Sequence, residues 1–322
     1  MDEASSKYVD YIATEKLLTE KLQQVHHAPA LVDDLQNLQF DDFSALSTLP
    51  SDLQEQQNGL EQDIRFTSAV RSGYPENDQV RCRVYPARQP LAAVLLIHGL
   101  FEDNLIIYKY YISQLVENGL QVFILFLPFH YSRKPKESVF SGELYWSGDL
   151  NRSALAYKQA VYDAYHLLKY IKNTVAKPIL LNGFSMGGGV AWTLSSLVEV
   201  EALFVVNPVC NFSDLVWNRR LFSTIKSDLE QNGYILDKVT RQFAHFDPIN
   251  CLPKANSIEN VAVGYGIFDQ ISSTDNYQML IDKWQVRRVL PYNAGHLNIL
   301  RVPRLAQDAK DLILSRKHDE LL

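Results

Sequence analysis

A serine between glycines is the first candidate for chemistry in this chain of 322 residues. Ser185 lies in LLNGFSMGGG, which has the form G-x-S-x-G, with Gly183 and Gly187 two positions to either side. The apolar run before it is typical of a buried strand, and the residues from Met186 onward are typical of a helix. A sharp turn between a strand and a helix strains the serine backbone and leaves room only for small residues at these two positions. The pattern predicts a nucleophile elbow at Ser185, and the alternative is a glycine-rich turn between two buried elements.

A serine hydroxyl is a weak nucleophile unless a neighbouring base accepts its proton. The chain has eight histidines, and His296 is the candidate base because it lies in NAGHLN, a loop that follows the strand-like run RRVLPY. His98 and His130 also follow strand-like runs. Four others lie on helical or terminal stretches and are expected at the surface, namely His26, His27, His166 and His318.

A carboxylate beside the imidazole would hold it in one tautomer and stabilise its protonated form. Asp269 ends the strand-like run VAVGYGIFD and is the candidate for this role. Asp275 is the alternative, although its place in SSTDN is also typical of a helix start. Ser185, Asp269 and His296 would then follow one another in the chain, each in a loop at the end of a strand.

These three residues come together only if the strands before them belong to one sheet. DIRFTSAV at 63–70 and QVRCRVYPA at 79–87 alternate polar and apolar residues, like an antiparallel hairpin. Five later runs are continuously apolar, as in parallel strands buried on both faces, namely AAVLLIHG, LQVFILFLP, KPILLNGFS, ALFVVNP and VAVGYGIFD. Helical stretches accompany them, near 105–118, 151–173, 187–198, 274–284 and 302–317. The sequence predicts an α/β fold with a mostly parallel, twisted sheet and helices on both faces.

Two segments interrupt the alternation of strands and helices. Residues 129–150 lack helical periodicity, and residues 209–258 are too long for an ordinary connection. The second segment carries aromatic and aliphatic residues among charges, which predicts a helical cap insert near the carboxyl ends of the strands.

The first 61 residues are predicted to be an N-terminal helical extension that precedes the main domain at 62–317. Residues 5–26 have apolar side chains near helical spacing, which predicts an amphipathic helix packed on the main body. The side chains expected to face that body are Tyr8, Tyr11, Ile12, Leu18, Leu22 and Val25.

The order of the three candidates and the motifs around them resemble the α/β-hydrolase superfamily. The likeness covers residues 62–317 and depends on four stretches, LLIHGL, GFSMGG, GIFDQ and NAGH. It implies an α/β-hydrolase fold and a catalytic triad of Ser185, Asp269 and His296. His98, in the first stretch, is expected to hold loops through hydrogen bonds.

The same resemblance implies an oxyanion hole made of two backbone N–H groups, those of Met186 and Leu100. Phe101 is the alternative to Leu100 and a candidate for contact with the substrate. The stretch LPFHYSRKPKESVFSG also resembles a poorly characterised branch of α/β-hydrolase-domain proteins. It makes His130 and Arg133 candidates for substrate binding, with Arg133 suited to a carboxylate or phosphate.

The composition disfavours several classes of protein. The net charge of -6 and the absence of a Lys/Arg stripe argue against a nucleic-acid partner. The longest apolar runs, at 91–97 and 122–129, are shorter than the roughly 20 residues of a membrane span, and the N-terminus has no signal-peptide pattern. Three widely separated cysteines fit reduced thiols. We expect a cytoplasmic protein with a small-molecule substrate and no metal or organic cofactor, and leave a homo-oligomer open.

Together these observations predict a serine hydrolase of the carboxylesterase or thioesterase type, with an acyl-enzyme on Ser185. The aromatic residues of the cap predict a small to medium apolar acyl or aryl group in the pocket. Two alternatives stay open at this point: an acyltransferase that uses the same triad, and a non-catalytic binding protein on a hydrolase fold.

Overall fold

The computed structural model describes residues 2–22, 40, 48–58, 61–254 and 260–315 of the chain. The described strands form one sheet in the order β1-β2-β3-β5-β4-β6-β7-β8-β9. They are β1 (Gln54–Asn58), β2 (Glu61–Thr67), β3 (Gln79–Tyr85), β4 (Ala92–Ile97), β5 (Leu120–Leu125), β6 (Ile179–Phe184), β7 (Ala202–Val206), β8 (Val261–Gly266) and β9 (Arg288–Tyr292). The pairs β1–β2, β2–β3 and β3–β5 are antiparallel, and the remaining pairs are parallel.

Burial explains the two hydrophobic patterns of the strands. The central strands β4, β6 and β7 are buried along their whole length, as their continuous apolar runs predict. Strand β3 alternates between buried and half-buried residues, with Val80, Cys82 and Val84 on the core face. The predicted mostly parallel sheet with an antiparallel beginning is therefore confirmed.

Helices cover both faces of this sheet. Helices α3 and α10 pack on one face with Val94 and Leu96 of β4, and helices α4 and α5 pack on the other face with Leu95 and Ile97. The described α-helices are α1 (Glu3–Leu17), α2 (Pro75–Asp78), α3 (Lys109–Glu117), α4 (Leu150–Thr174), α5 (Met186–Leu197), α6 (Phe212–Asn218), α7 (Ser223–Gln231), α8 (Leu236–Phe243), α9 (Thr274–Trp284) and α10 (Pro303–Leu314). None of them is both long enough and apolar enough to cross a bilayer.

The two interrupting segments of the sequence pack against each other. The 209–258 segment forms the three short helices α6, α7 and α8, with residues 255–259 outside the described part. Trp146 of the 129–150 segment contacts Phe212 at 4.8 Å and stacks on Phe243 at 5.5 Å between ring centroids. These aromatic contacts join the cap to the loop that follows β5.

One described segment of the first 61 residues is a strand, where the sequence predicted a helical extension. The segment 54–58, with the sequence QEQQN, forms the edge strand β1 and pairs with β2. It has no apolar face, so neither strand nor helix periodicity could reveal it. A strand at the sheet edge gains most of its stability from backbone pairing, which needs no particular side chains.

The face that α1 turns toward the main body was predicted incorrectly. Tyr8, Tyr11 and Ile12 are 64%, 52% and 45% exposed, whereas Ser6 and Asp10 are fully buried. Leu18 and Leu22, in a π-helical turn that continues α1, are buried as expected, and Val25 lies outside the described residues. Helix α1 therefore docks through a mainly polar stripe, and the reason is found at the candidate site.

Candidate active site

Ser185 occupies a strained turn between β6 and α5. Its backbone has φ 55° and ψ −121°, outside the regions that ordinary L-residues favour. A side chain at Gly183 would overlap the carbonyl oxygen of Gly187, and one at Gly187 would overlap that of Ile97. Only glycine fits these positions, so the two glycines of the motif permit the turn that aims Ser185 away from the sheet.

Two hydrogen bonds join Ser185, His296 and Asp269 in a chain. The Nε2 atom of His296 lies 2.9 Å from Ser185 Oγ, and its Nδ1 atom lies 2.7 Å from Asp269 Oδ2. Ser185 follows β6, Asp269 follows β8 and His296 follows β9, so three strand ends at one edge of the sheet supply the three groups. With the hydroxyl donating to Nε2 and Nδ1–H donating to the carboxylate, this chain can move a proton from the serine to the imidazole.

The surroundings of Asp269 hold it ionised and fixed. Its Oδ1 accepts the N–H groups of Ile271 at 2.8 Å and Ser272 at 2.9 Å, and its Oδ2 also accepts the Tyr277 hydroxyl at 2.7 Å. Burial alone would raise the pKa of Asp269, but the charge of His296 and these hydrogen bonds lower it below its ordinary value. The alternative acid, Asp275, lies in the first turn of α9 and makes no contact with His296.

The opposing effects on His296 leave it a stronger base than a free histidine. Burial disfavours its charged form, but the charge of Asp269, followed by those of Asp10 and Glu102, raises the pKa of His296 above its ordinary value. Asp10 comes from helix α1, which is far from His296 in the sequence.

Asp10 anchors α1 to both loops of the hydrogen-bonded chain. Its carboxylate accepts the backbone N–H groups of His296 at 2.7 Å, Leu297 at 3.1 Å and Gln270 at 3.2 Å. Gln270 directly follows Asp269, so one carboxylate binds next to the acid and next to the base. Burial raises the pKa of Asp10, while the charge and N–H of His296 oppose that rise.

Further contacts fix α1 at this place. Asn298 Nδ2 donates to Ser6 Oγ at 3.1 Å, and a side chain at Gly295 would overlap the Asp10 carboxylate. Lys21, beyond α1, bonds to Asp103 and approaches the Phe101 carbonyl oxygen at 3.4 Å. The polar face of α1, with Ser6 and Asp10, is therefore buried because it accepts hydrogen bonds from the loops that carry Asp269 and His296. Sequence reasoning missed Asp10 because an aspartate on a helix is usually solvated.

Two backbone N–H groups lie free beside Ser185. Met186 begins α5, and neither its N–H nor that of Leu100 is bonded to a described residue. Gly99 approaches Ser185 so closely that an added Cβ would lie 3.2 Å from Ser185 Cβ. The N–H of Phe101, the alternative to Leu100, donates instead to His130 Nε2 at 3.1 Å. This arrangement favours the N–H groups of Leu100 and Met186 as the two donors of the predicted oxyanion hole.

His130 and Arg133 do not lie where substrate binding would need them, which corrects that prediction. Both are fully buried, and neither lines the cavity at Ser185. Arg133 pairs with buried Asp163 at 2.9 Å and donates to the carbonyl oxygens of Asn77 and Phe126. A guanidinium with these bonds has no donor directed at a substrate, so Arg133 holds the 129–150 segment on the domain.

His98 is structural, as expected. Its ring accepts the Leu127 N–H at 2.9 Å and lies 2.7 Å from the Gly99 carbonyl oxygen. It therefore fixes the Gly99–Leu100 turn to the loop after β5.

A small apolar cavity of about 170 Å³ opens in front of Ser185. Phe101 lines it, as do side chains from three separate parts of the chain. They are Ala13 and Leu17 of α1, Leu215, Leu221 and Phe222 of the cap, and Ile271 and Leu297 of the site loops. Glu102 and His296 are the ionisable groups among its described lining residues. The hydroxyls of Tyr108 and Tyr131 donate to the Glu102 carboxylate.

No protein-family model matches the chain. A curated relative, the uncharacterized protein YdjC of Bacillus subtilis (strain 168), is 29% identical over 99 residues, which are 30% of this chain and 84% of that protein.

Several solved structures have the same fold. Acetyl xylan esterase 1 from Thermoanaerobacterium sp. JW/SL YS485 matches with a TM-score of 0.59 at 15% identity, over 91% of this chain and 98% of its own. An acetyl xylan esterase from Paenibacillus sp. R4 matches with a TM-score of 0.55 at 16% identity, over 86% and 93%. Carboxyl esterase 2 from the fungus Tuber melanosporum matches with a TM-score of 0.54 at 12% identity, over 95% and 98%. The chain therefore has the α/β-hydrolase fold.

Proposed function

We propose that this protein is a serine esterase that hydrolyses esters of short acyl groups. The observation that carries the proposal is the hydrogen-bonded chain Ser185–His296–Asp269 at the mouth of a small apolar cavity. Such a chain activates a serine for attack on an acyl carbon.

In the first half of the reaction, Ser185 Oγ attacks the carbonyl carbon of the ester, and His296 Nε2 takes the hydroxyl proton. Asp269 stabilises the imidazolium that forms. The tetrahedral intermediate then collapses, the bond from carbon to the alcohol oxygen breaks, and His296 donates its proton to the departing alcohol.

In the second half, water attacks the acyl-enzyme and gives a proton to His296. Collapse releases the carboxylic acid, and the proton returns to Ser185. The N–H groups of Met186 and Leu100 stabilise the negative oxygen of each intermediate, an effect of about 3 kcal/mol per donor in comparable sites.

The cavity supports a short acyl group. Its volume of about 170 Å³ is close to that of engineered cavities of about 150 Å³, which hold a benzene molecule. An acyl chain of roughly two to six carbons fills such a space. Two of the structural neighbours are named as acetyl xylan esterases, which agrees with a short acyl group. Helix α1 lines one side of this cavity and the cap lines another, so residues of these two segments are the ones that limit the length of the acyl chain.

The test compares wild-type protein with Ser185→Ala on p-nitrophenyl acetate, butyrate and octanoate. We expect hydrolysis of acetate and butyrate by the wild type, and a loss of about 10³-fold or more in Ser185→Ala. Ser195→Ala is the matched control, because Ser195 is a buried serine of α5 that bonds to the Trp192 carbonyl and does not line the cavity.

A fluorophosphonate probe provides an independent measurement. It should add one label to the wild type and to Ser195→Ala, and none to Ser185→Ala, as read from intact mass. Equal hydrolysis or equal labelling in Ser185→Ala would show that the enzyme proposal is wrong.

A further inference from the structure

A second and larger cavity, of about 560 Å³, lies on the outer face of β2 and β3. It shares no lining residue with the cavity at Ser185. Its floor carries Arg65, Arg81 and Arg83, and its walls come from residues 103–106, from Lys109 and from the loop after β5. Nothing in the proposed esterase reaction uses it.

The sheet register places two of these cations directly opposite each other. Arg65 of β2 pairs with Arg81 of β3, and Asp63 pairs with Arg83. The alternate residues, such as Ile64 and Cys82, face the core, so the arginines share the outer face. Like charges at directly opposed positions destabilise a sheet, and a hydrophobic or oppositely charged residue would serve the fold better.

Two carboxylates are among the described residues that line the cavity, Asp63 and Asp103, and Asp103 is bonded to Lys21. Asp63 lies 3.0 Å from Arg83 Nε but 3.9 Å from the nearest nitrogen of Arg65. Within the described ranges, Arg81 has no ion pair, and the Nε atoms of Arg65 and Arg81 are buried without a hydrogen-bond partner. Burial, and next the charge of Arg65, lower the pKa of Arg81, and the charge of Asp63 only partly opposes them. Each of these arginines therefore has one buried N–H donor that no described residue satisfies, and an oxygen of a bound ligand would satisfy it.

The rest of the cavity indicates the shape of that ligand. Lys109 adds a further cation at the wall, although the whole chain has a net charge of -6. Phe126 and Tyr131 supply aromatic surface beside the arginines, with the Arg83 guanidinium 5.9 Å from the Phe126 ring centre. Several cationic donors match the three terminal oxygens and double charge of a phosphate better than the two oxygens of a carboxylate.

We infer that this cavity binds a phosphate monoester, with the phosphoryl oxygens between Arg65 and Arg81 and the organic group against Phe126 and Tyr131. The site is independent of Ser185, so its failure and the failure of the esterase proposal are separate results.

The experiment measures thermal unfolding and isothermal titration with phenyl phosphate, with benzoate as the carboxylate of similar size. Sodium chloride holds the ionic strength constant, because screening alone relieves like-charge repulsion. The variants are Arg81→Gln and Arg65→Gln, and the matched control is Arg88→Gln, an exposed arginine just beyond β3 that does not line the cavity.

We expect phenyl phosphate to raise the melting temperature of the wild type and of Arg88→Gln in a saturable way. Arg81→Gln and Arg65→Gln should each weaken its binding at least tenfold. Without ligand, these two variants should melt at or above the wild-type temperature, because each removes the repulsion between the two arginines. A merely structural role of the arginines would give the opposite result, a lower melting temperature without ligand.

Three results would overturn the inference. The first is a melting temperature that phenyl phosphate raises no more than sodium chloride does at equal ionic strength. The second is wild-type affinity in both arginine variants. The third is equal stabilisation by benzoate, which would reject the phosphate as the recognised group.

Discussion

Replacement of Asp10 by asparagine is the sharpest test of how α1 serves the site. Asp10 accepts three backbone N–H groups, from Gln270, His296 and Leu297, and is fully buried. Asparagine has nearly the same shape, but one carboxylate oxygen becomes an NH₂ group that faces N–H donors. The change therefore removes the charge and at least one of the hydrogen bonds without leaving a cavity.

The expected magnitudes follow from these contacts. A hydrogen bond to a charged group contributes about 1.5–3 kcal/mol, so Asp10→Asn should lower the free energy of unfolding by about 2–4 kcal/mol. The His296 loop loses its anchor, and a displacement of the base by about 1 Å can reduce catalysis by about 10²-fold. We therefore expect kcat for p-nitrophenyl butyrate to fall by roughly 10- to 100-fold.

The pH dependence separates positioning from a general loss of stability. The imidazole of His296 must be neutral to accept the serine proton, so kcat/KM falls as the pH drops through the pKa of His296. The negative charge of Asp10 helps to raise that pKa. Asp10→Asn should therefore shift the acid limb of the profile to lower pH, even though the maximum rate is reduced.

Glu3→Gln provides the matched control for Asp10→Asn. Glu3 lies on the same helix and loses the same charge, but its side chain is 58% exposed and bonds to Lys7. This control should keep the wild-type rate and acid limb. Urea denaturation gives the unfolding free energies, and fluorophosphonate labelling gives the reactivity of Ser185 in the folded fraction. A folded Asp10→Asn protein with wild-type kcat and an unshifted acid limb would refute the reasoning.

Three further predictions concern the hydrogen-bonded chain of Ser185, His296 and Asp269, the cavity in front of Ser185 and the buried ion pair of Arg133. Because the pKa of His296 is raised, the acid limb of the wild-type kcat/KM profile should lie above the ordinary histidine value of 6.5. Asp269→Asn should lower kcat by about 10³- to 10⁴-fold in steady-state assays. A loss under tenfold would exclude Asp269 as the acid. Leu17→Ala enlarges the cavity, so the best acyl chain in a p-nitrophenyl ester series should lengthen by about two carbons; an unchanged optimum would show that α1 does not limit acyl length. Arg133→Met leaves the buried Asp163 carboxylate without its partner and should cost about 3–5 kcal/mol in urea unfolding, partly recovered by adding Asp163→Asn; a stable single variant would contradict the structural role of Arg133.

Much of the fold could be predicted because its signals are local. Continuous apolar runs identify β4 to β8 whatever their neighbours are, and helix α9 was expected near the bounds that it has. The glycines around Ser185 carry a signal of the same kind, since a strained turn restricts the residues two positions away. His296 and Asp269 were found because loops after parallel strands meet at one edge of a sheet.

Other features had no local signal. The polar strand β1 has no apolar face, and its pairing with β2 depends on the backbone alone. The apolar spacing of α1 predicts that Tyr8, Tyr11 and Ile12 are buried. The helix buries Ser6 and Asp10 instead, because donors on the loops after β8 and β9 form hydrogen bonds with them. An amphipathic pattern identifies the apolar face of a helix. It does not show which face meets hydrogen-bond partners in the folded protein and is therefore buried.

The sequence by itself determined the strands other than β1, most of the helices and the three residues of the hydrogen-bonded chain, because each depends on a pattern within a few residues. Only the tertiary structure decided that α1 packs on the loops of the site and lines its cavity, that Arg133 is bonded to buried groups, and that Arg65 lies opposite Arg81 on the neighbouring strand. Each of these depends on which groups meet after the chain has folded. Hydrogen bonds and charge pairs act between groups a few ångströms apart in space, and the separation of two residues along the sequence does not give that distance.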